Sequence, residues 1–100
     1  FRMFAARLDE MTRLLESVAF VRVESRLAAA LLDRARRAGG PALAATHQEL
    51  AEEIGTAREV VSRQLDGLRR DGLIATARGR LELLDAARLA ALAAGAGAPA

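Results

Sequence analysis

The chain begins with a narrow stripe of hydrophobic residues at the alternating three- and four-residue spacing of a coiled coil. The stripe consists of Phe1, Phe4, Leu8, Met11, Leu15 and Val18. Polar residues occupy the other faces, so the pattern favours packing against one partner helix, with packing against its own domain as the alternative. We therefore predict that residues 1–20 are the end of a dimerisation helix. Because the pattern is already under way at Phe1, we expect the chain to be part of a longer protein.

A second amphipathic helix is predicted from about Val23 to Ala38, with Val23, Leu27 and Leu31 on its buried face. The segment Gly39-Gly40-Pro41 ends it, because glycine suits a C-terminal cap and proline cannot continue a helix. Positive charge near this end complements the helix dipole. The residues concerned are Arg34, Arg36 and Arg37.

A short apolar link over residues 43–45 leads into a third helix. Thr46 and Glu49 have the spacing of a capping box, in which each side chain accepts a hydrogen bond from the other residue's amide. The helix ends at Gly55, which can adopt the positive φ of a tight turn. Its predicted core residues are Leu50, Ala51 and Ile54.

A further helix is predicted from about residue 57 to residue 71, with Val61, Leu65 and Leu68 as its core stripe and Gly72 at its end. Ala51 allows close approach of the two helices, Gly55 makes the turn, and Val61 fills the angle between them. These three constraints together predict a helix-turn-helix.

The remaining residues predict a β-hairpin and one more helix. Residues 73–76 and 80–83 flank a turn that contains Gly79, and Asp85 is a plausible N-cap for a helix through about Ala94. The predicted fold class is mainly α with a small β-hairpin wing. It is a winged helix-turn-helix over residues 21–94, preceded by the dimerisation helix of residues 1–20 and followed by a disordered tail over residues 95–100.

Composition excludes several classes of function. The 100 residues are 52% hydrophobic and contain no cysteine, which excludes disulfides, thiolate metal sites and cysteine nucleophiles within them. No apolar run approaches the roughly 18 residues of a membrane span, and no signal peptide is recognisable, so we predict a soluble cytoplasmic protein. The sequence offers no nucleophile, base and acid set and no metal cluster. We therefore predict no enzymatic activity, no metal and no cofactor in these residues.

Charge is informative through its location. The formal net charge is only +2, and all 15 basic residues are arginine. Between Arg58 and Arg80 there are six arginines and three acidic residues, whereas the helix before this segment carries Glu49, Glu52 and Glu53. This local excess of positive charge predicts a nucleic-acid contact on one side of the molecule.

Four residues at the start of the second helix of the pair are predicted to contact DNA bases: Arg58, Glu59, Ser62 and Arg63. They lie off the buried stripe, in the half of a recognition helix that enters the major groove. Arginine can donate two hydrogen bonds to guanine, and glutamate can accept one from the amino group of cytosine. The alternative is a solvated face on which Glu59 and Arg63 form an i, i+4 ion pair.

Two further groups are predicted to contact phosphates. Thr46, His47 and Gln48 lie at a helix start, where side chains and unpaired amides can bind an anion. Arg78 and Arg80 lie on the predicted wing, over the DNA backbone or minor groove. The alternatives are a solvated histidine at position 47 and a merely soluble turn at positions 78–80.

Several of these segments resemble the DNA-binding domain of the Crp/Fnr family of bacterial transcriptional regulators. They are Thr46-His47-Gln48-Glu49-Leu50-Ala51, Gly55, the run from Arg58 to Leu65, Asp71-Gly72-Leu73-Ile74 and, at the hinge after the dimerisation helix, Ala19-Phe20. The resemblance implies that Arg58 and Arg63 contact guanines, Glu59 a cytosine or adenine amino group, and Ser62 a thymine. It likewise implies that Thr46 and Gln48 contact phosphates.

The resemblance also implies a transcriptional regulator that binds double-stranded DNA as a homodimer, at a palindromic operator with TGA-containing half-sites, and that contacts RNA polymerase. No part of these residues is similar to the family's sensor domain, so no effector is predicted. Two alternatives remain. One is another winged-helix regulator, such as a GntR-like domain, and the other is a helical dimerisation or partner-binding module that does not bind DNA.

Overall fold

The secondary structure is mainly helical in the computed structural model, which describes residues 22–95. In chain order, the elements are α1 (22–38), β1 (Ala42–Ala44), α2 (His47–Ile54), α3 (Arg58–Arg70), β2 (Ile74–Ala77), β3 (Arg80–Leu83) and α4 (Ala86–Ala93). This order confirms the predicted fold class of a winged helix-turn-helix. The predicted dimerisation helix, with its stripe from Phe1 to Val18, and the tail after Gly95 lie outside the described residues.

Helix α1 supplies one wall of the core. Leu27 and Leu31 are fully buried and Val23 is partly buried, as the pattern predicts. The helix ends at Gly39, whose φ is +84°, and the amide of Gly40 donates to the carbonyl of Ala35 at 3.2 Å. The predicted glycine cap is thus confirmed.

Helix α2 begins with the predicted capping box. The amide of Glu49 donates to Thr46 Oγ1 at 3.1 Å, and the amide of Thr46 donates to Glu49 Oε1 at 3.2 Å. Leu50, Ala51 and Ile54 are buried, as predicted. The cap therefore fixes where α2 starts and which of its faces meets the core.

Helix α3 packs against α2 and contributes Val61, Leu65 and Leu68 to the core, as predicted. Its end is closed by Gly72, with φ +77°, and by the amide of Leu73, which donates to the carbonyl of Leu68 at 3.0 Å. One buried polar residue, Gln64, was not predicted to lie in the core.

The sheet differs from the prediction. The hairpin of β2 and β3 is present, with Gly79 at φ +68° in its turn, but β1 adds a third antiparallel strand on the other side of β3. The segment that we expected to be a link pairs Leu43 with Leu81, and both side chains are buried. Three residues are too few to show strand periodicity, and the partner strand lies beyond α2 and α3 in the sequence, so no local signal marks β1.

Helix α4 closes the fold against α1. Asp85 caps it as predicted, because its Oδ1 accepts the amide of Arg88 at 3.0 Å. Leu89 is fully buried, and Ser25 Oγ on α1 donates to the carbonyl of Ala93 at 3.0 Å. Among residues 22–95, no helix combines the length and the apolar character that a membrane crossing requires.

Two glycine substitutions should change stability in opposite directions. Gly55→Ala should lower the free energy of unfolding by about 1–2 kcal/mol, because an L-residue is strained at a φ of +73°. Gly67→Ala should raise it by roughly 0.5–1 kcal/mol, because Gly67 lies within α3 and a Cβ there would meet no atom within 4 Å. Urea unfolding of both variants checks this. Changes of the same sign would contradict it.

Candidate nucleic-acid interface

The turn between α2 and α3 is held by one carbonyl. The amides of Gly55 and Thr56 both donate to the carbonyl of Ala51, the second at 2.9 Å. Ala51 and Val61 are almost completely buried, at 1% and 0% exposure. A small side chain on α2 and a branched one on α3 thus let the two helices pack closely, which confirms the predicted helix-turn-helix geometry.

The structure brings the four predicted base-contacting residues together on one side of α3. Arg58, Glu59 and Arg63 are exposed and Ser62 is partly buried. With Ala57 they line a single surface depression, on the side of α3 away from its core stripe. We call Arg58, Glu59, Ser62 and Arg63 the α3 face.

The charged groups of the α3 face form no ion pairs within residues 22–95. No pair within 4.0 Å in that part of the chain includes Arg58, Glu59 or Arg63. The Glu59 to Arg63 ion pair expected of a merely solvated helix face is therefore not formed. The two guanidinium groups and the carboxylate are thus exposed and have no ion-pair partner in that part of the chain.

The first turn of α2 presents a second set of polar groups. Thr46 and Gln48 are exposed. Thr46 Oγ1 accepts the amide of Glu49, which leaves the hydroxyl proton available to donate. Gln48 Nε2 donates one hydrogen to Glu52 Oε1 at 3.1 Å and retains a second. Together with the first amides of the helix, which have no intrahelical acceptor, these groups can donate to an anion.

His47 connects the two helices. Its Nδ1 lies 2.6 Å from Ser62 Oγ, within hydrogen-bond distance, and both side chains are partly buried. Residue 47 was predicted to contact phosphate and residue 62 to contact a base, but nothing in the sequence pattern predicts that they bond to each other. The spacing of 15 residues along the chain becomes a contact only through the packing of α2 on α3.

Arg34 forms ion pairs between helices that the sequence pattern did not predict. Its guanidinium reaches from α1 to α2, where Nε lies 3.3 Å from Glu53 Oε1 and Nη1 lies 3.9 Å from Glu49 Oε2. Arg36 and Arg37 instead pair with Asp33 on their own helix, at 2.6 and 2.7 Å. Arg34 therefore offsets part of the negative charge of α2, the helix that carries the predicted phosphate contacts.

The wing arginines are separate from the α3 face. Arg78 lies in the turn between β2 and β3, Arg80 begins β3, and both are exposed. A cation on an exposed hairpin tip can reach a neighbouring polyanion without displacing a protein contact. Within residues 22–95, no three histidine, acidic or cysteine side chains cluster as metal ligands would.

Comparison with protein-family models gives a match that includes both α2 and α3. Residues 25–92 match the family model described as the Crp-like helix-turn-helix domain. The match begins within α1 and ends within α4, so it covers nearly all of the described structure.

Similar proteins occur in the bacterium Thermus thermophilus. The chain is 38% identical over 93 residues to its cyclic AMP receptor protein, covering 93% of this chain and 43% of that protein. It is 38% identical over 92 residues to the transcriptional regulator SdrP, covering 86% and 46%. The crystal structure of the Thermus thermophilus catabolite activator protein superposes with a TM-score of 0.85 at 38% identity, covering 93% and 44%. The chain therefore spans less than half the length of these relatives.

Enlarging Ala51 should disturb the interface through the core. Ala51→Leu should lower the free energy of unfolding by about 1–3 kcal/mol, because added volume between α2 and α3 has no space to occupy. Since it also changes the angle of α3, DNA affinity should fall even where the variant remains folded. Ala90→Leu adds the same atoms at an exposed position of α4 and should change neither quantity. Thermal unfolding and a DNA titration measure both, and equal behaviour of the two variants would contradict the packing role of Ala51.

Proposed function

The chain belongs to the Crp/Fnr family of transcriptional regulators, and from this premise we propose that it binds double-stranded DNA sequence-specifically, with α3 in the major groove. One observation carries the proposal. Glu59 lies exposed between Arg58 and Arg63, and none of the three has an ion-pair partner within the described part of the chain. The proposed activity is recognition rather than catalysis, and it would be exercised in the cytoplasm.

The chemistry of the α3 face favours base contacts over phosphate contacts. A carboxylate directed at phosphates would weaken binding, whereas it can accept a hydrogen bond from the amino group of cytosine or adenine. The planar guanidinium of Arg58 or Arg63 can donate two hydrogen bonds to O6 and N7 of guanine. An alternation of positive and negative groups on one short surface therefore suits a base sequence better than it suits a uniform polyanion.

The surrounding groups would set the register of the protein on the duplex. Thr46, His47 and Gln48 supply donors at the start of α2, and Arg78 and Arg80 supply charge on the wing. Contacts of this kind orient a protein on DNA without carrying sequence information. We propose that these five residues contact the phosphate backbone on either side of the groove that α3 enters.

Arg63 should be essential for sequence preference. Arg63→Ala should cost about 1–3 kcal/mol at the cognate half-site, because a bidentate contact to guanine is lost, and should leave binding to random DNA nearly unchanged. Cognate sites are obtained first by selecting bound sequences from a random pool. Arg36→Ala removes the same charge from an exposed position on α1 and serves as the matched control. An equal loss of affinity on cognate and random DNA would exclude a base contact by Arg63.

The same titrations separate DNA binding from the alternative of a partner-binding module. The logarithm of the association constant should fall linearly with the logarithm of the salt concentration, with a slope of about −0.9 per phosphate neutralised. A module that recognises only another protein would show no such dependence on DNA.

We further propose that the protein acts as a homodimer on a palindromic operator. The support is the heptad stripe of residues 1–18, which lies outside the described residues and precedes α1 in the chain. A dimer would place two α3 helices about 34 Å apart, one turn of DNA, so that both half-sites are contacted. Each half-site would then add its base contacts to those of the other.

Charged substitutions in the stripe test the dimer. Leu8→Asp or Leu15→Asp should lower self-association and operator affinity together, because each places a carboxylate at a seam position of the coiled coil. Sedimentation and operator titration measure the two quantities. A variant that remains fully dimeric in sedimentation would show that the stripe is not the dimer interface. Arg13→Asp, on the face of the predicted helix opposite the stripe, is the control and should retain the dimer.

A further inference from the structure

We propose that His47 is a positioning residue that fixes the direction of the Ser62 hydroxyl. It thereby restricts which bases can form a hydrogen bond with Ser62 in the operator. The inference rests on the proposed function and adds to it a determinant of specificity that lies on α2 rather than on the recognition helix. The observation is the 2.6 Å separation of His47 Nδ1 and Ser62 Oγ.

The backbone on both sides of this contact is fixed. His47 is the first residue of α2 and directly follows Thr46, which the capping box holds by two hydrogen bonds. Ser62 follows Val61, which is fully buried between the helices. The cap and the core contact therefore fix the backbone positions from which the ring and the hydroxyl come within hydrogen-bond distance of each other.

The position of the hydrogen in this contact determines which hydrogen bonds Ser62 can form with a base. A serine hydroxyl has one hydrogen and two lone pairs. If Nδ1 is unprotonated, Ser62 donates to it and presents only lone pairs, which suit the amino groups of adenine and cytosine. If Nδ1 carries a hydrogen, Ser62 accepts from it and can donate to N7 or O6 of guanine, N7 of adenine or O4 of thymine. Without His47 the hydroxyl rotates freely and can do either.

His47 therefore has two separable roles in the proposed complex. When Nδ1 is unprotonated it accepts the hydroxyl of Ser62, and Nε2, on the other side of the ring, then carries the hydrogen that can be donated to the proposed phosphate. Asparagine places its terminal atoms one bond beyond Cγ, as Nδ1 is, and glutamine places them one bond further, where Nε2 lies. The two amides thus separate the positioning role from the phosphate role.

The test compares binding-site selections and titrations on the full 100-residue chain. Ser62→Ala first identifies the half-site position that Ser62 contacts, as the position at which base preference relaxes. His47→Gln should relax preference at that same position by about three- to tenfold, the discrimination that one hydrogen bond supplies, with little loss of overall affinity. His47→Asn should keep the preference and lower the affinity for all sequences. In the Ser62→Ala background, His47→Gln should change base preference no further.

Gln48→Ala is the matched control, because Gln48 is the exposed neighbour of His47 and was assigned a phosphate contact alone. It should lower affinity without changing preference at any position, and circular dichroism should show every variant folded. If both His47 variants lower affinity uniformly and leave base preference intact, His47 contacts only phosphate and the inference is wrong. If the unmodified chain selects no sequence at all, the proposed function itself fails, which is a distinguishable result.

Discussion

The packing of α2 on α3 is the constraint on which the rest of the interface depends. The carbonyl of Ala51 receives two amides of the turn, Gly55 adopts a φ of +73°, and Val61 is completely buried in the angle between the helices. Because the core stripe of α3 is committed to this contact, its opposite side must be exposed. The orientation of Arg58, Glu59 and Arg63 is thus a consequence of small and branched residues that never reach the surface.

The same packing makes the candidate interface a property of two helices. The contact between His47 and Ser62 exists only because the start of α2 lies over the first half of α3. Arg34 adds a contribution from α1, since its ion pairs with Glu49 and Glu53 offset acidic groups close to the proposed phosphate contacts. A recognition surface of this kind can change its preferences through residues that never touch a base.

Local signals were sufficient to predict most of the fold and to predict which residues form the α3 face. The capping box at Thr46, the positive-φ glycines and the core stripe of α3 are each set by residues close together in the chain, and each was confirmed. Strand β1 was missed because its stability comes from pairing with β3, which is distant in sequence. Gln64 was missed because amides are usually exposed, yet the packing around α3 buries it at 4% exposure. The bond between His47 and Ser62 likewise joins two elements, at a distance that only the assembled fold sets.

The net charge of +2 does not show how unevenly the arginines are paired within the described part of the chain. In the described part of the chain, Arg34, Arg36, Arg37 and Arg69 form ion pairs with acids, and Arg70 and Arg88 donate to backbone carbonyls. The arginines proposed to contact DNA, on the α3 face and on the wing, take part in none of these. Four arginines outside the proposed interface are thus paired with acids, whereas the arginines proposed to contact DNA are left available. In the proposed complex, a nearly neutral protein would bind DNA on one side. Arginine rather than lysine on the α3 face would also allow bases to be distinguished, because its planar fork fixes the direction of two donors at once.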